Sequence, residues 1–328
     1  MPPGLLGSTL LRSLAVVAAL LVASTAARGE PPAAPNPSPM PQTEPPITVG
    51  KWPEGVVVTA GSIWVAESGK RRVLRLSPDG AVEATVQVGR LPVSMGVGPD
   101  GAPIVLVVTD RRVKRIDPKS NKATTVATLP EHGEAMAVDG DHAFVLLWKG
   151  GSSAGSSVLR VDLRTGKTAR SADTGRNAFG IAAGGGHAWI AAEGRVAVVR
   201  ADTMERLADV PMRDRPFEAA FGAGAAFVSD GGSVVRLDPP TRTETARASI
   251  GGRVAALAAF DDEVVAARED GELWRLDPST LAVRTRLAPA SPFTPVTLAR
   301  SGKVLLASHH GSADANPEHG TLLRIPLE

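Results

Sequence analysis

Three of the chain's six histidines fall in one short stretch, Ser308-His-His-Gly-Ser-Ala-Asp-Ala-Asn-Pro-Glu-His319. Histidine titrates near neutrality and ligates metals, so this stretch, with Asp314 and Glu318 inside it, is suited to acid–base work, metal ligation or a lid. His309 and His310 are the candidate catalytic residues, and Glu318 and His319 the candidate metal ligands. No spacing here sets two histidines on one rigid helix face, and an exposed polar loop is the plain alternative. A second set is acidic: Glu67, Asp110, Glu193, Asp230 and Glu269 recur along the chain. Several such oxygens converging on one point would hold a hard cation, magnesium or calcium. Lys70, Arg111, Arg195 and Arg268 stand beside them and favour neutralised pairs in a mixed polar surface over a dedicated cage. Gly151-Ser-Ser-Ala-Gly155 matches the nucleophile pattern G-x-S-x-G, which needs a strained strand-to-helix turn with a triad behind it. No helical pattern follows, so the match is read as a flexible insertion. The chain has no cysteine, which removes disulfide scaffolds, thiolate metal sites and cysteine nucleophiles together.

The elements that position these residues follow from an internal repeat. An apolar strand with a central arginine recurs seven times, around Arg75, Arg115, Arg160, Arg200, Arg236, Arg275 and Arg324, often followed by Asp-Pro. The arginines stand 36 to 49 residues apart, a period near forty. Each unit reads as four strands. The first is small and apolar, as in Gly55-Val-Val-Val58 or Gly180-Ile-Ala-Ala183. A Gly/Asp turn leads to the second, as in Ile63-Trp-Val-Ala66 or Ala188-Trp-Ile-Ala191. The third carries the arginine, and the fourth is polar and threonine-rich, as in Ala84-Thr-Val-Gln-Val88. Inner strands that are apolar at nearly every position must be covered on both faces, and alternating outer strands must lie at a perimeter. Four-stranded sheets stacked around an axis meet both demands, so the expected fold is an all-β, seven-bladed β-propeller of antiparallel blades. The last arginine strand has no successor, whereas Ile47-Thr-Val-Gly50 looks like a fourth strand with no predecessors. The N-terminal strand should therefore complete the last blade and remove its open edge.

Ahead of the repeats, Arg12, the apolar run Leu14–Ala23 and Ser24-Thr-Ala-Ala27 describe a secretory signal peptide over residues 1–27. Residues 28–46 hold eight prolines and read as a disordered linker, leaving 47–328 for the propeller. The expectation is a protein exported to the periplasm or the extracellular space, monomeric, with no membrane span once the signal is cleaved. A formal charge of +2 without a run of one sign, and 4% aromatic residues, give no footprint for nucleic acid.

Gly61-Ser-Ile-Trp-Val-Ala-Glu67 followed by Arg72-Val-Leu-Arg-Leu-Ser-Pro-Asp-Gly80 resembles the repeat of virginiamycin B lyase-like propellers. Gly271-Glu-Leu-Trp-Arg-Leu-Asp-Pro-Ser-Thr280 is similar to YVTN- and NHL-type repeats. The resemblance spans Ile47 to Glu328 and implies the propeller fold. It also implies one activity, a magnesium-dependent lyase opening a cyclic ester, with His309 or His310 as base and Glu318 as magnesium ligand. These residues do not align with that family's catalytic motif, and the chain contains no tyrosine.

In such a ring the loops joining second to third strands share one face with the loops joining blades, around the mouth of the channel. That face is expected to bind a small molecule, a glycan or a protein without catalysis and without a cofactor. The candidate ligand-binding residues are Glu67, Asp110, His132, Trp148, Glu193, Asp230, Arg268 and Glu269. Trp52 and Trp148 are expected to be partly exposed, whereas Trp64, Trp189 and Trp274 fill the core.

Overall fold

Runs such as Ile63-Trp-Val-Ala66 and Ala226-Phe-Val228 are rich in β-branched and aromatic residues and lack helical periodicity, so they pair as strands. In the computed structural model, residues 35–39, 41, 45–59, 61–148, 155–288, 294–310 and 320–327 are described. They belong to one compact unit, Pro35–Glu328. The signal segment 1–27, most of the linker, most of the G-x-S-x-G loop and residues 311–319, with Asp314, Glu318 and His319, lie outside the described residues.

Blade 1 pairs Pro53–Thr59, Ser62–Glu67, Arg72–Leu76 and Val82–Gln87 in that order, all antiparallel. The same order recurs in five blades whose first strands are Pro92–Val97, His132–Asp139, Gly180–Gly184, Ala219–Gly222 and Val254–Ala259. Blade 7 takes Pro295–Ser301, Val304–His309 and Gly320–Pro326, and its fourth strand is Ile47–Gly50. Ile47 faces Leu322 and Gly50 faces Gly320, so the start of the propeller closes its last blade as the sequence predicts. The innermost strands pack successively around the ring, blade 7 against blade 1 included.

Apolar clusters sit between blades. Trp64, Val73 and Val86 of blade 1 meet Val105, Val107 and Ile116 of blade 2. Val49 of the closing strand joins Leu306 and Leu322 of blade 7 with Val56 and Ile63 of blade 1. Trp64 and Trp189 are fully buried, as is expected of core fillers. Among the described residues no helix is long and apolar enough to cross a membrane.

The repeated arginines divide into two groups that the sequence does not distinguish. In odd blades the guanidinium reaches into the next blade's third-to-fourth-strand turn, and Arg75 in addition pairs with Glu83 of its own blade at 3.0 Å. Arg75 donates to Pro118 O at 2.8 Å, Arg160 to Ala201 O at 2.7 Å, Arg236 to Pro278 O at 3.1 Å, and Arg324 to Asp79 O at 3.0 Å. In even blades it pairs with an acid of its own blade: Arg115 with Asp100, Arg200 with Glu205 at 3.6 Å, and Arg275 with Glu263 at 2.6 Å. The linker also contributes: Ser38–Pro39 runs parallel to Leu287–Ala288 at the outer edge of blade 6, and Arg286 donates to Pro35 O at 3.1 Å.

Candidate functional site at the channel mouth

The recurring acids stand at or just past the ends of their second strands, but they do not converge. Each engages the loop that enters its own blade. Glu67 is fully buried; it accepts a hydrogen bond from Lys51 N at 3.0 Å and pairs with Arg72. Gly50 packs so closely on this carboxylate that an added Cβ would lie 2.0 Å from Oε1. Asp110 accepts from Arg90 N at 2.9 Å and from Arg90 Nε at 2.8 Å, and these bonds hold its carboxyl below the usual range. Asp230, also buried, accepts from Arg213 N at 3.0 Å, Asp214 N at 2.8 Å and Arg247 Nη1 at 2.7 Å. Glu193 accepts from Asn177 Nδ2 at 3.0 Å, and Glu269 from Arg253 Nη1 at 2.6 Å. An ionised carboxylate binds such donors strongly, so these residues latch loops to blades. Arg268 is held in the same way, by Asp270 and Glu272 at 2.6 Å each. Among the described residues no three His, Asp or Glu side chains group as a metal ion would need.

His309 and His310 leave the second strand of blade 7. His310 Nε2 lies 3.2 Å from Glu54 Oε1 of blade 1. His309 is half-buried, and burial, helped by the neighbouring His310, lowers its pKa. His132 and Trp148 are cross-strand partners in blade 3, and His132 Nδ1 lies 3.3 Å from Val108 O. Trp148 is 46% exposed and Trp52 42%, as expected.

The first strands bring further carboxyls to the channel. Their pairing slips at the mouth end in five blades, between Pro53 and Val56 and between Gly133 and Ala135 among others. Such bulges re-aim the extra residue, here Glu54 in blade 1 and Glu134 in blade 3. Glu218 stands just ahead of the first strand of blade 5, with its N–H donating to Ser229 Oγ at 2.8 Å. Burial pushes its carboxyl up to about 8, against the opposing Arg253 charge.

Beside Glu218 a cavity of about 520 Å³ opens between blades 5 and 6, lined by Asp214, Arg215, Phe217, Ser229, Arg253 and the backbone of three glycines. Phe217 stacks on Phe179 of blade 4, with ring centroids 5.0 Å apart. Arg253 lies over the Phe217 ring at 4.5 Å, and Arg215 over Phe179 at 5.2 Å. Arg253 is neutralised by Glu269, whereas Arg215 has no carboxylate partner among the described residues. A cation on an aromatic face beside an open cavity can receive a carboxylate, phosphate or carbonyl oxygen, and Phe217 offers flat apolar surface next to it. A second mouth cleft of about 530 Å³, lined by Asp173, Arg176, Glu193 and Arg195, is wholly polar in its side chains.

The fold is that of the seven-bladed β-propellers. Solved structures align over most of the chain at low identity. A streptogramin B lyase aligns at 12% identity over 85% of this chain and 96% of its own, with a TM-score of 0.68. U3-55K aligns at 14% over 88% and 100%, with 0.71, and a chain of the mitotic checkpoint complex at 14% over 88% and 96%, with 0.68. At such identities the likeness is one of fold, and it agrees with the virginiamycin B lyase-like repeat pattern. No protein-family model matches the sequence, and no curated protein matches it.

The sequence reading omits Phe179, Arg215, Phe217, Glu218 and Arg253. One signal was available. The entry to blade 5, Arg213-Asp-Arg-Pro-Phe-Glu218, gathers four charged residues around a proline and an aromatic.

Proposed function

We propose that this protein is an exported, monomeric binding module that takes a small molecule, glycan or protein segment on its mouth face, with no cofactor. The observation that carries this reading is the distribution of charge at the mouth. The second-strand acids are spent on holding loops, while Arg215 stands by a cavity with no acid of its own and Phe217 beside it. The arrangement suits recognition of an oxygen anion or carbonyl joined to a flat apolar group. Export rests on Arg12, the apolar run Leu14–Ala23 and the small residues before Arg28.

Titration of aromatic carboxylates, acidic oligosaccharides and peptides tests the reading. In the double variant Arg215→Ser, Phe217→Leu, affinity for the ligands that bind should fall roughly tenfold or more. Arg164→Ser, in a turn on the opposite face, should leave it unchanged. Undiminished affinity in the mouth variant would overturn the reading. So would magnesium-dependent opening of a cyclic depsipeptide, the reaction implied by the lyase resemblance.

A further inference from the structure

Across the ring from that cavity, the mouth loops of blades 1 and 2 form one laced strip. Ser68 N donates to Trp52 O at 3.0 Å, and Gly69 N to Lys51 O at 3.2 Å. Val88 and Gly89 both donate to Arg71 O at 3.2 Å, and Val108 N donates to Leu91 O at 2.9 Å. These bonds join the loop at 51–52 to that at 67–72, then to 89–91 and 108–112. Within the strip seven cationic side chains stand against two carboxylates, Glu67 and Asp110, and they outnumber the carboxylates even with Glu54 and Glu134 at the inner ends of blades 1 and 3 added, in a chain whose whole formal charge is only +2. Both carboxylates are already paired inside it, with Arg72 and Arg90. Arg71, Arg111 and Arg112 are exposed.

Apolar side chains are exposed on the same face. The large hydrophobic residues exposed among the described residues are five, and three of them, Trp52, Leu91 and Trp148, lie at the mouth of blades 1, 2 and 3 in succession. The other two, Val82 and Val97, stand at the opposite end of their strands. The backbone at these tips is left-handed. Trp52, Arg71, Leu91 and Arg111 all have φ between 51° and 61°, a left-handed conformation that bulky side chains adopt at a cost. Asn177, a residue type suited to that conformation, takes it at the corresponding loop of blade 4. Blades 1 and 2 instead put Trp and Leu there, 42% and 37% exposed.

We propose that this arc of blades 1 to 3 docks the protein onto an anionic lipid surface. Tryptophan and leucine at loop tips enter the headgroup boundary, and the arginines and lysines around them meet the lipid phosphates. Among the described residues, clefts around Arg195, Arg215 and Arg164 lie off this arc. The arc itself offers exposed tips, which suit an extended charged plane. The inference concerns a surface distinct from the Arg215 cavity and does not depend on what that cavity binds.

Flotation of the full chain with vesicles of equal parts phosphatidylglycerol and phosphatidylcholine, against phosphatidylcholine alone, tests it at low and high salt. The protein should float only with the anionic vesicles and detach as salt rises. Arg71→Ser, Arg111→Ser, Arg112→Ser should weaken binding on the order of a hundredfold. Trp52→Asn with Leu91→Asn keeps residues that accept a left-handed backbone, so the fold is retained; it should weaken binding at least roughly tenfold. The opposite-face variant Lys119→Ser, Arg164→Ser, Lys167→Ser should bind as the parent does. The proposal falls if the protein stays with the soluble fraction, or if the arginine variant still floats. It also falls if the opposite-face variant loses binding equally, or if soluble polyglutamate binds the arc while vesicles do not.

Discussion

A carboxyl at the innermost ring of a propeller is pulled two ways, because channel water solvates it from one side while packed blades exclude solvent from the others. In Glu218 the second effect prevails, and burial raises its pKa to about 8. The sign of the resulting pH dependence follows directly. An acid held above its ordinary value keeps its proton in the folded state after the unfolded chain has lost it, so stability falls as pH rises from about 4.5 through about 8. Glu218→Gln should flatten that slope in thermal melts and should be more stable than the parent above pH 8 by a margin that closes toward pH 4. Identical slopes in the two proteins would show that the carboxyl is not desolvated. Asp230 is the contrasting case, a buried carboxylate with three donors. Asp230→Ala strands two loop N–H groups and half of Arg247's pairing, and a loss of about 3 kcal/mol is expected in denaturant titration. The recurrence and position of Asp230 and Glu67 were legible in the sequence, but their burial was not. Whether a loop acid faces solvent or its own loop depends on a partner such as Lys51 N, sixteen residues away, which no local pattern announces.

At the scale of the element, the seven arginine strands look equivalent in sequence, and the structure splits them by blade parity. Arg160 donates to the carbonyls of Ala201 and Asp202 across a blade boundary, whereas Arg200 makes an exposed pair with Glu205 inside its own blade. Hydrogen bonds from a charged donor to backbone carbonyls are worth more than surface ion pairs. Arg160→Met should therefore cost about 2 kcal/mol in urea unfolding, and Arg200→Met less than about 0.5 kcal/mol. Equal costs would remove the distinction. The strands themselves were readable because inner strands apolar at nearly every position and short Gly/Asp turns leave few alternatives to stacked four-stranded sheets. The bulges at Glu54 and Glu134 were not readable, since one extra residue leaves composition unchanged.

For the whole molecule, seven copies of a unit that cannot bury its own faces make a ring, and Ile47–Gly50 closes it. This closure was legible from counting strands, because one orphan strand at the start and one missing at the end can only be partners. It seals Val49 against Val56, Ile63 and Leu322, and so joins the two ends of the domain through one apolar cluster. A chain beginning at Lys51 would leave Gly320–Pro326 as an open edge, and it should melt earlier and aggregate in light scattering on heating. An unchanged melting profile would mean that closure adds nothing to stability. The mouth cavity was less legible, since it joins Arg215 and Phe217 of one blade to Phe179 and Arg253 of its two neighbours. The most direct test of mouth-face binding is hydrogen exchange on the protein saturated with a ligand found by titration. Protection should appear in the segments 214–218, 229–232 and 252–254 and leave 99–104 and 163–164 unchanged. Protection confined to the latter segments, on the opposite face, would contradict the account.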